Sequence, residues 1–329
     1  MKTITSTRVA SELRNLVDQQ LQNIDFCGKK PYNLYQPMEY ILSLKAKRIR
    51  PVLTMLAYHA VTHQQPEGAI NVALSVELFH NFTLMHDDIM DQAPLRRGNP
   101  SVHQTWNINT AILSGDALLV YAMGNLVKDF PDKAEALVNA FTEIAMDVCE
   151  GQMSDMDFET SPRVSINDYI EMIRKKTAVL IGGSLRLGAI AGDADPVICS
   201  KFQEFGEALG IAFQLKDDLM DAFPSQKFGK QTGGDIIANK KTYLMLKALE
   251  LSDYSQRERL QFNMRRTQNP HQKVQEVLHI YNELEISKHT QELIGNYHAK
   301  ALRLGQELAG LTSFTPIQLY LEEISQRTF

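Results

Sequence analysis

Twelve prolines are scattered along these 329 residues, and between them the apolar residues recur at helical spacing. Leu13, Leu16, Val17 and Leu21 follow that spacing, and so do Leu244, Leu246 and Leu249. Val72, Leu74, Val76, Leu78 and Phe79 lie in a denser run that leads up to Asp87. No series of alternating strands bounded by hairpin turns competes with this pattern. Proline is tolerated in the first turn of a helix or beyond its end, so the prolines read as punctuation. Pro51 is expected in such a first turn. No linker, low-complexity tract or composition shift marks a boundary. The fold class predicted is all-α, as one large domain over residues 1–329.

Composition narrows the function classes. Apolar residues make up 44% of the chain, enough for a sizeable core, and the net charge is −5. No global basic character points to nucleic acid, so any anion site must be built from local clusters. Cys27, Cys149 and Cys199 are far apart and odd in number, which reads as three reduced thiols rather than a disulfide framework or zinc set. The first residues lack the apolar core of a secretory signal. The best candidate for a membrane span, Ala178 to Ile190, is too short and carries Arg186. A soluble, cytoplasmic protein is expected.

Two acidic motifs stand out. Phe82-Thr-Leu-Met-His-Asp-Asp-Ile-Met-Asp91 and Phe213-Gln-Leu-Lys-Asp-Asp-Leu-Met-Asp221 are both apolar segments that end in Asp-Asp-x-x-Asp. On a helix, Asp87 and Asp91 lie about 40° apart around the axis and share a face, whereas Asp88 is turned by about 100°. Asp217, Asp218 and Asp221 repeat this geometry. Three carboxylates within two turns repel one another, by a few tenths of a kcal/mol even when solvated and by more when partly buried. A hard divalent cation such as magnesium, which takes carboxylate and phosphate oxygens, would offset that repulsion. One such motif is as easily a solvated acidic face; two with the same lead-in are not.

Basic clusters accompany them: Lys45, Lys47, Arg48 and Arg50 before Pro51; Arg96 and Arg97; Arg174, Lys175 and Lys176 with Thr177; and Lys230, Lys240 and Lys241. Each alone reads as a solvated face. With metal-binding carboxylates they suit polyanions, because guanidinium forks hold phosphate oxygens bidentately. The loop Phe228-Gly-Lys-Gln-Thr-Gly-Gly-Asp235 does not have the spacing of a P-loop, and its glycines suit hinges of a closing segment.

Taken in order, these blocks resemble the trans-isoprenyl diphosphate (polyprenyl) synthases of short-chain type over nearly the whole chain. They are Lys47-Arg-Ile-Arg-Pro51, Glu77-Leu-Phe-His80, His86 to Asp91 with Arg96-Arg-Gly-Asn-Pro100 and His103, Ser114-Gly-Asp116, Glu150-Gly-Gln152 with Asp155, Lys176-Thr177, Phe213-Gln214 with Asp217 to Asp221, and Gly229-Lys230 with Gly234-Asp235 and Lys240. The resemblance implies the isoprenoid synthase fold, a large helical bundle around a deep central cavity, generally homodimeric. It implies head-to-tail condensation of isopentenyl diphosphate with an allylic diphosphate, dependent on Mg2+, with three ions per active site. Asp87, Asp91 and Asp217 would hold the metal on the allylic diphosphate, with Asp88, Asp218 and Asp221 completing the two motifs. Arg96, Lys176, Lys230 and Lys240 would bind that diphosphate. Lys47, Arg50, His80 and Arg97 would hold isopentenyl diphosphate, and Thr177 and Gln214 would steady the allylic cation. The family's usual Gly-Gly before the Lys-Arg-x-Arg-Pro block is Lys45-Ala46 here, which removes easy access to positive φ and adds a charge.

Product length follows from the helix below Asp87. Phe82 lies five residues earlier, about 7.5 Å along the axis, Thr83 one turn below Asp87, and Phe79 a turn further. A bulky ring here would floor the tunnel, although aromatics on apolar helices are usually core. An aromatic with a small residue after it resembles the archaeal type of geranylgeranyl diphosphate synthase; farnesyl diphosphate is the alternative product. A class I terpene cyclase would carry a different second metal motif, and a non-catalytic regulatory subunit of a prenyl synthase would have lost acidic residues.

Overall fold

The computed structural model describes residues 6–26, 28–224, 233–265 and 268–327. Helices account for nearly all of the regular structure, as the periodicity predicts. In chain order they are α1 (Ser6–Gln22), α2 (Tyr32–Ser43), α3 (Ile49–Thr62), α4 (Ile70–Met90), α5 (Val102–Thr105), α6 (Ile108–Leu126), α7 (Ala134–Thr160), α8 (Ile166–Ile173) and α9 (Val179–Ala191). They continue with α10 (Pro196–Ala222), α11 (Gly234–Ile237), α12 (Tyr243–Leu251), α13 (Tyr254–Arg265), α14 (Pro270–Glu283), α15 (Ile286–Ala309) and α16 (Thr315–Arg327). No single helix among the described residues is long and apolar enough to cross a membrane.

Local chemistry explains many of the ends. Pro51 is the third residue of α3, inside its first turn as expected, and Pro196 and Pro270 open α10 and α14. Asn107 and Asn269 cap α6 and α14 by accepting from Thr110 N and Gln272 N. Ser165 and Asp168 form a reciprocal capping box at the start of α8. Pro37 is the exception to punctuation: it lies buried inside α2.

The chain divides into two compact units. The first comprises Met1–Glu143, Gly183–Gln203 and Gly305–Phe329. Its centre is the long contact of α4 along α6, with α3 against α4. Leu53, Met55 and Leu56 of α3, Leu78, Phe79 and Met85 of α4, and Leu118 and Leu126 of α6 are fully buried there. Each such side chain contributes roughly 1.5–3 kcal/mol. A short hairpin in this unit pairs Leu95–Arg96 with Asn99–Pro100. Arg97 (φ 53°) and Gly98 (φ 78°) form its turn, and two successive positive φ values mark the type I′ geometry that suits tight hairpins.

The second unit comprises Ile144–Gly182 and Glu204–Leu304. One core gathers Leu244, Met245, Leu260, Ile280, Tyr281 and Ile286. Another gathers Tyr169, Ile173, Ala178, Ile211, Leu215 and Tyr243. Between α8 and α9 the chain makes a π-helical turn, Arg174–Ala178. Such widened turns recur at functional sites because they redirect side chains that a regular helix would spread around its axis.

Candidate active site

In the first unit the motif Asp87-Asp88-x-x-Asp91 ends α4, with Asp91 exposed and Asp87 half-buried. Asp88 is only 1% exposed and is held by Arg96, whose Nε donates to its Oδ1 at 2.9 Å and whose Nη2 joins the same oxygen. Arg96 Nη2 also lies 3.6 Å from Asp87 Oδ2. Burial pushes the Asp88 carboxyl up, and the Arg96 hydrogen bond opposes that shift. The hairpin turn is thus what brings Arg96 back over the carboxylates eight and nine residues earlier.

Beside it opens a cavity of about 450 Å³ lined by Lys45, Ala46, Lys47, Arg48, Ile49, Arg50, Glu77, His80 and Arg97. All four residues expected to hold isopentenyl diphosphate are in this wall. Arg50 Nη1 donates to His80 Nε2 at 3.1 Å, since a guanidinium cannot accept. His80 is therefore neutral there, and burial followed by Arg50 and Arg97 holds it well below the ordinary imidazole value. Burial brings Arg50 down to about 10. Its Nε is buried with no hydrogen-bond partner, a donor that a polyanion would satisfy.

The frame of this cavity is a buried charge pair that the sequence signalled only as another basic residue. Arg48 (4% exposed) donates to Glu77 Oε1 at 2.5 Å, to Asp18 Oδ1 at 2.8 Å and to the Leu42 carbonyl at 2.6 Å. It adopts φ 49°, so the left-handed residue of this segment is Arg48, and neither Lys45 nor Ala46 needs positive φ. The replacement of Gly-Gly is conformationally neutral here; its effect is the added Lys45 charge in the cavity wall. Glu77, a lone carboxylate in an apolar run, was the available signal for this pair.

Above the cavity on α4, Thr83 Oγ1 donates to the His80 carbonyl at 2.8 Å. Phe82 is half-buried, its ring 5.6 Å from Phe79 and 4.7 Å from His86. Phe79 is 1% exposed and meets Phe141 edge-on at 5.1 Å, which makes it a packed core residue.

In the second unit the motif Asp217-Asp218-x-x-Asp221 ends α10. Asp217 is exposed. Asp218 is buried, accepting from Tyr169 Oη on one oxygen and from Gln214 Nε2 at 2.9 Å on the other. Burial pushes its carboxyl up to about 7. Thr177 Oγ1 donates to Gln214 Oε1 at 3.3 Å, so Thr177, Gln214, Asp218 and Tyr169 form one chain that fixes the Gln214 amide. Asp221 accepts from the backbone N–H of Gly234 and Asp235 at 3.2 and 3.0 Å, anchoring the start of α11. Asp235 is itself pushed up to about 6 by burial and by Asp221. Lys240 Nζ stands 4.0 Å from Asp235 Oδ1. Lys230 and Gly229 lie outside the described residues.

The π-turn explains the Glu-Gly-Gln block. A Cβ on Gly151 would lie 2.2 Å from Lys176 N, so only glycine lets α7 approach the turn's backbone. From the same stretch of α7, Asp155 Oδ2 accepts from Lys176 Nζ at 2.5 Å and Glu150 pairs with Lys175. Tyr169 was not foreseen as a site residue, because its partner lies 49 residues along the chain; Asp155 stood in a quoted block, but without a role.

The donor sets fit a divalent ion that keeps some water and substrate oxygens. Among the described residues, no three His, Cys, Asp or Glu side chains form a metal-binding group on their own. Magnesium is bound in that way, by one or two carboxylates and by phosphates. Asp88 in the first unit and Asp218 in the second are both turned inward to protein donors.

Residues 31–283 match the sequence family described as polyprenyl synthetase. A geranylgeranyl diphosphate synthase of Methanosarcina mazei is 38% identical over 224 residues, covering 67% of this chain and 69% of that one. A geranylfarnesyl diphosphate synthase of Natronomonas pharaonis is 37% identical over 257 residues, 72% of this chain and 75% of its own. A crystal structure of a geranylgeranyl pyrophosphate synthase, 38% identical, superposes with a TM-score of 0.86 over 94% of this chain and 98% of that one.

Proposed function

The chain belongs to the polyprenyl synthetase family, whose members are prenyltransferases, and from that premise we propose that it makes geranylgeranyl diphosphate. The reaction joins isopentenyl diphosphate head-to-tail to an allylic diphosphate, all-trans. The fold is the all-α isoprenoid synthase fold. The family match supports a prenyl diphosphate synthase over a terpene cyclase, and a farnesyl product is not favoured by relatives named for geranylgeranyl and geranylfarnesyl diphosphate.

The observation that carries the substrate assignment is the cationic cavity of the first unit. Lys47, Arg50 and Arg97 supply charge, the orphan Arg50 Nε supplies an unmet donor, and neutral His80 supplies its second ring nitrogen as a donor. This suits the diphosphate of isopentenyl diphosphate. Asp87, Asp91 and Asp217 would hold Mg2+, three ions in all on this reading. Bound Mg2+ neutralises charge that develops on the departing diphosphate as the carbon–oxygen bond breaks. Arg96, Lys176, Lys230 and Lys240 are assigned to the same anion, where fixed cations lower the barrier most if they are better matched to the transition state than to the substrate. Thr177 and Gln214 direct oxygen dipoles at the allylic cation. Once the new carbon–carbon bond forms, the isopentenyl unit carries the positive charge and loses a proton to the departed diphosphate as base, so no protein nucleophile is needed.

Phe82 with Thr83 sets the product length in this reading, with Phe79 behind as support. The chain works as one domain, 1–329, in a cytoplasmic homodimer, for which Ile108, Leu113 and Val120 of α6 offer exposed apolar surface (53%, 60% and 70%). A solution mass of a single chain would remove the dimer. The direct test incubates purified protein with Mg2+, isopentenyl diphosphate and dimethylallyl, geranyl or farnesyl diphosphate. Mass spectrometry should find the C20 diphosphate as the end product, and no condensation with any starter would refute the reading. Phe82→Ala should lengthen the product by at least one five-carbon unit; an unchanged profile would remove the floor.

A further inference from the structure

A second cavity, of about 650 Å³, lies wholly within the second unit, between the 160–164 loop and helices α12 and α13. Its lining shares no residue with the acidic motifs, the π-turn or Lys240. Three cations, Arg163, Lys241 and Arg265, stand in its wall, and among the described residues no Asp or Glu lines it. In a chain of net charge −5 that local excess is a marked asymmetry. Arg163 and Arg265 are exposed. The rest of the wall is largely apolar, with Leu246, Leu249 and Met264 among it.

The frame is ordered before any ligand arrives. Lys241 Nζ donates to the carbonyls of Phe158 and Ser161, the latter at 2.5 Å, pinning the loop that follows α7. Ser161 Oγ donates to the Arg163 carbonyl at 2.9 Å, and the Ser165–Asp168 box starts the next helix. An ammonium has three N–H donors, and two of those on Lys241 are taken; the third is left for an occupant of the cavity. The volume falls within the range of small-molecule sites.

We propose that this cavity is a second site for a prenyl diphosphate, the charged head on Arg163, Lys241 and Arg265 and the hydrocarbon on Leu246, Leu249 and Met264. The inference rests on the function proposed above, which makes such an amphiphile the enzyme's own substrate or product. The head chemistry alone would also suit the phosphate of a lipid headgroup. A concave site in which apolar side chains lie beside the cations favours a free molecule over a flat membrane surface.

The test is the binding stoichiometry of radiolabelled farnesyl diphosphate by equilibrium dialysis in excess EDTA. Wild type is compared with R163E/R265E, two exposed changes. The variant should lose one bound molecule per chain, or bind it at least tenfold more weakly. With Mg2+ and isopentenyl diphosphate it should keep wild-type kcat. Farnesol alone and inorganic pyrophosphate alone should each bind the wild-type site more weakly than farnesyl diphosphate. Equal stoichiometry and affinity in both proteins would overturn the site. So would co-sedimentation of wild type, but not R163E/R265E, with phosphatidylcholine–phosphatidic acid vesicles when the soluble diphosphate shows no difference. Normal condensation with no difference between the two proteins defeats only this site. No condensation by wild type defeats the function reading.

Discussion

The two acidic motifs share one spacing and one apolar lead-in, yet the molecule treats their central carboxylates differently. Asp88 is buried against a cation, Arg96; Asp218 is buried against two neutral donors, Tyr169 and Gln214. The last residues differ too: Asp91 is exposed, whereas Asp221 accepts two backbone N–H groups and anchors the chain that leads to Lys240. Sequence repetition therefore reproduces the outward carboxylates and not the means by which the inward one is tolerated. A buried carboxylate facing a cation stays charged more easily than one facing neutral dipoles. Burial carries Asp218 up to about 7, Tyr169 and Gln214 only oppose it, and Asp235 and Asp217 push the same way as burial.

The largest effect tests what the motifs share. Asp87→Ala and Asp217→Ala should each lower kcat by on the order of 10³-fold, the scale seen when one electrostatic stabiliser is removed. Circular dichroism should stay unchanged. Loss at one position and near-normal turnover at the other would break the equivalence of the outward carboxylates.

The next tests what they do not share. Arg96→Ala leaves a buried carboxylate unpaired and should destabilise the protein by about 3–5 kcal/mol. Tyr169→Phe removes one neutral hydrogen bond while Gln214 remains, and should cost about 1–3 kcal/mol. Urea unfolding midpoints give both values, and equal losses would erase the distinction.

The smallest effect is a pH dependence, read in metal-free protein. The folded protein keeps a proton on Asp218 at pH values where the unfolded chain has released it. The associated stabilisation is therefore full on the acid side and fades as pH rises through about 7. Asp218→Asn should flatten the fall in Tm between pH 5 and 8, by a few degrees for each kcal/mol involved. Asp88→Asn should change that slope less, since Arg96 opposes the upward shift. A larger change from Asp88→Asn would reverse the assignment.

The all-α class was legible because helical periodicity and proline placement are local properties. The site residues were legible where charge recurs at fixed spacing, as in both acidic motifs and the basic blocks. Glu77 and Arg48 were half-legible: both residues stood in quoted blocks, but nothing local says that they meet at 2.5 Å. Tyr169 was not legible, because its partner lies 49 residues on. Gly151 was legible as part of a block, and its reason came only from the 2.2 Å approach to Lys176 N.

By itself the sequence determined the helices, the outward-facing aspartates and the inventory of cations that a diphosphate enzyme needs, since those depend on neighbours within a few turns. Tertiary structure alone decided what holds the inward carboxylate of each motif, and that the left-handed residue of the 45–50 segment is Arg48. Those outcomes depend on groups brought together from distant parts of the chain. Burial then makes each partner's charge matter far more than it would in water.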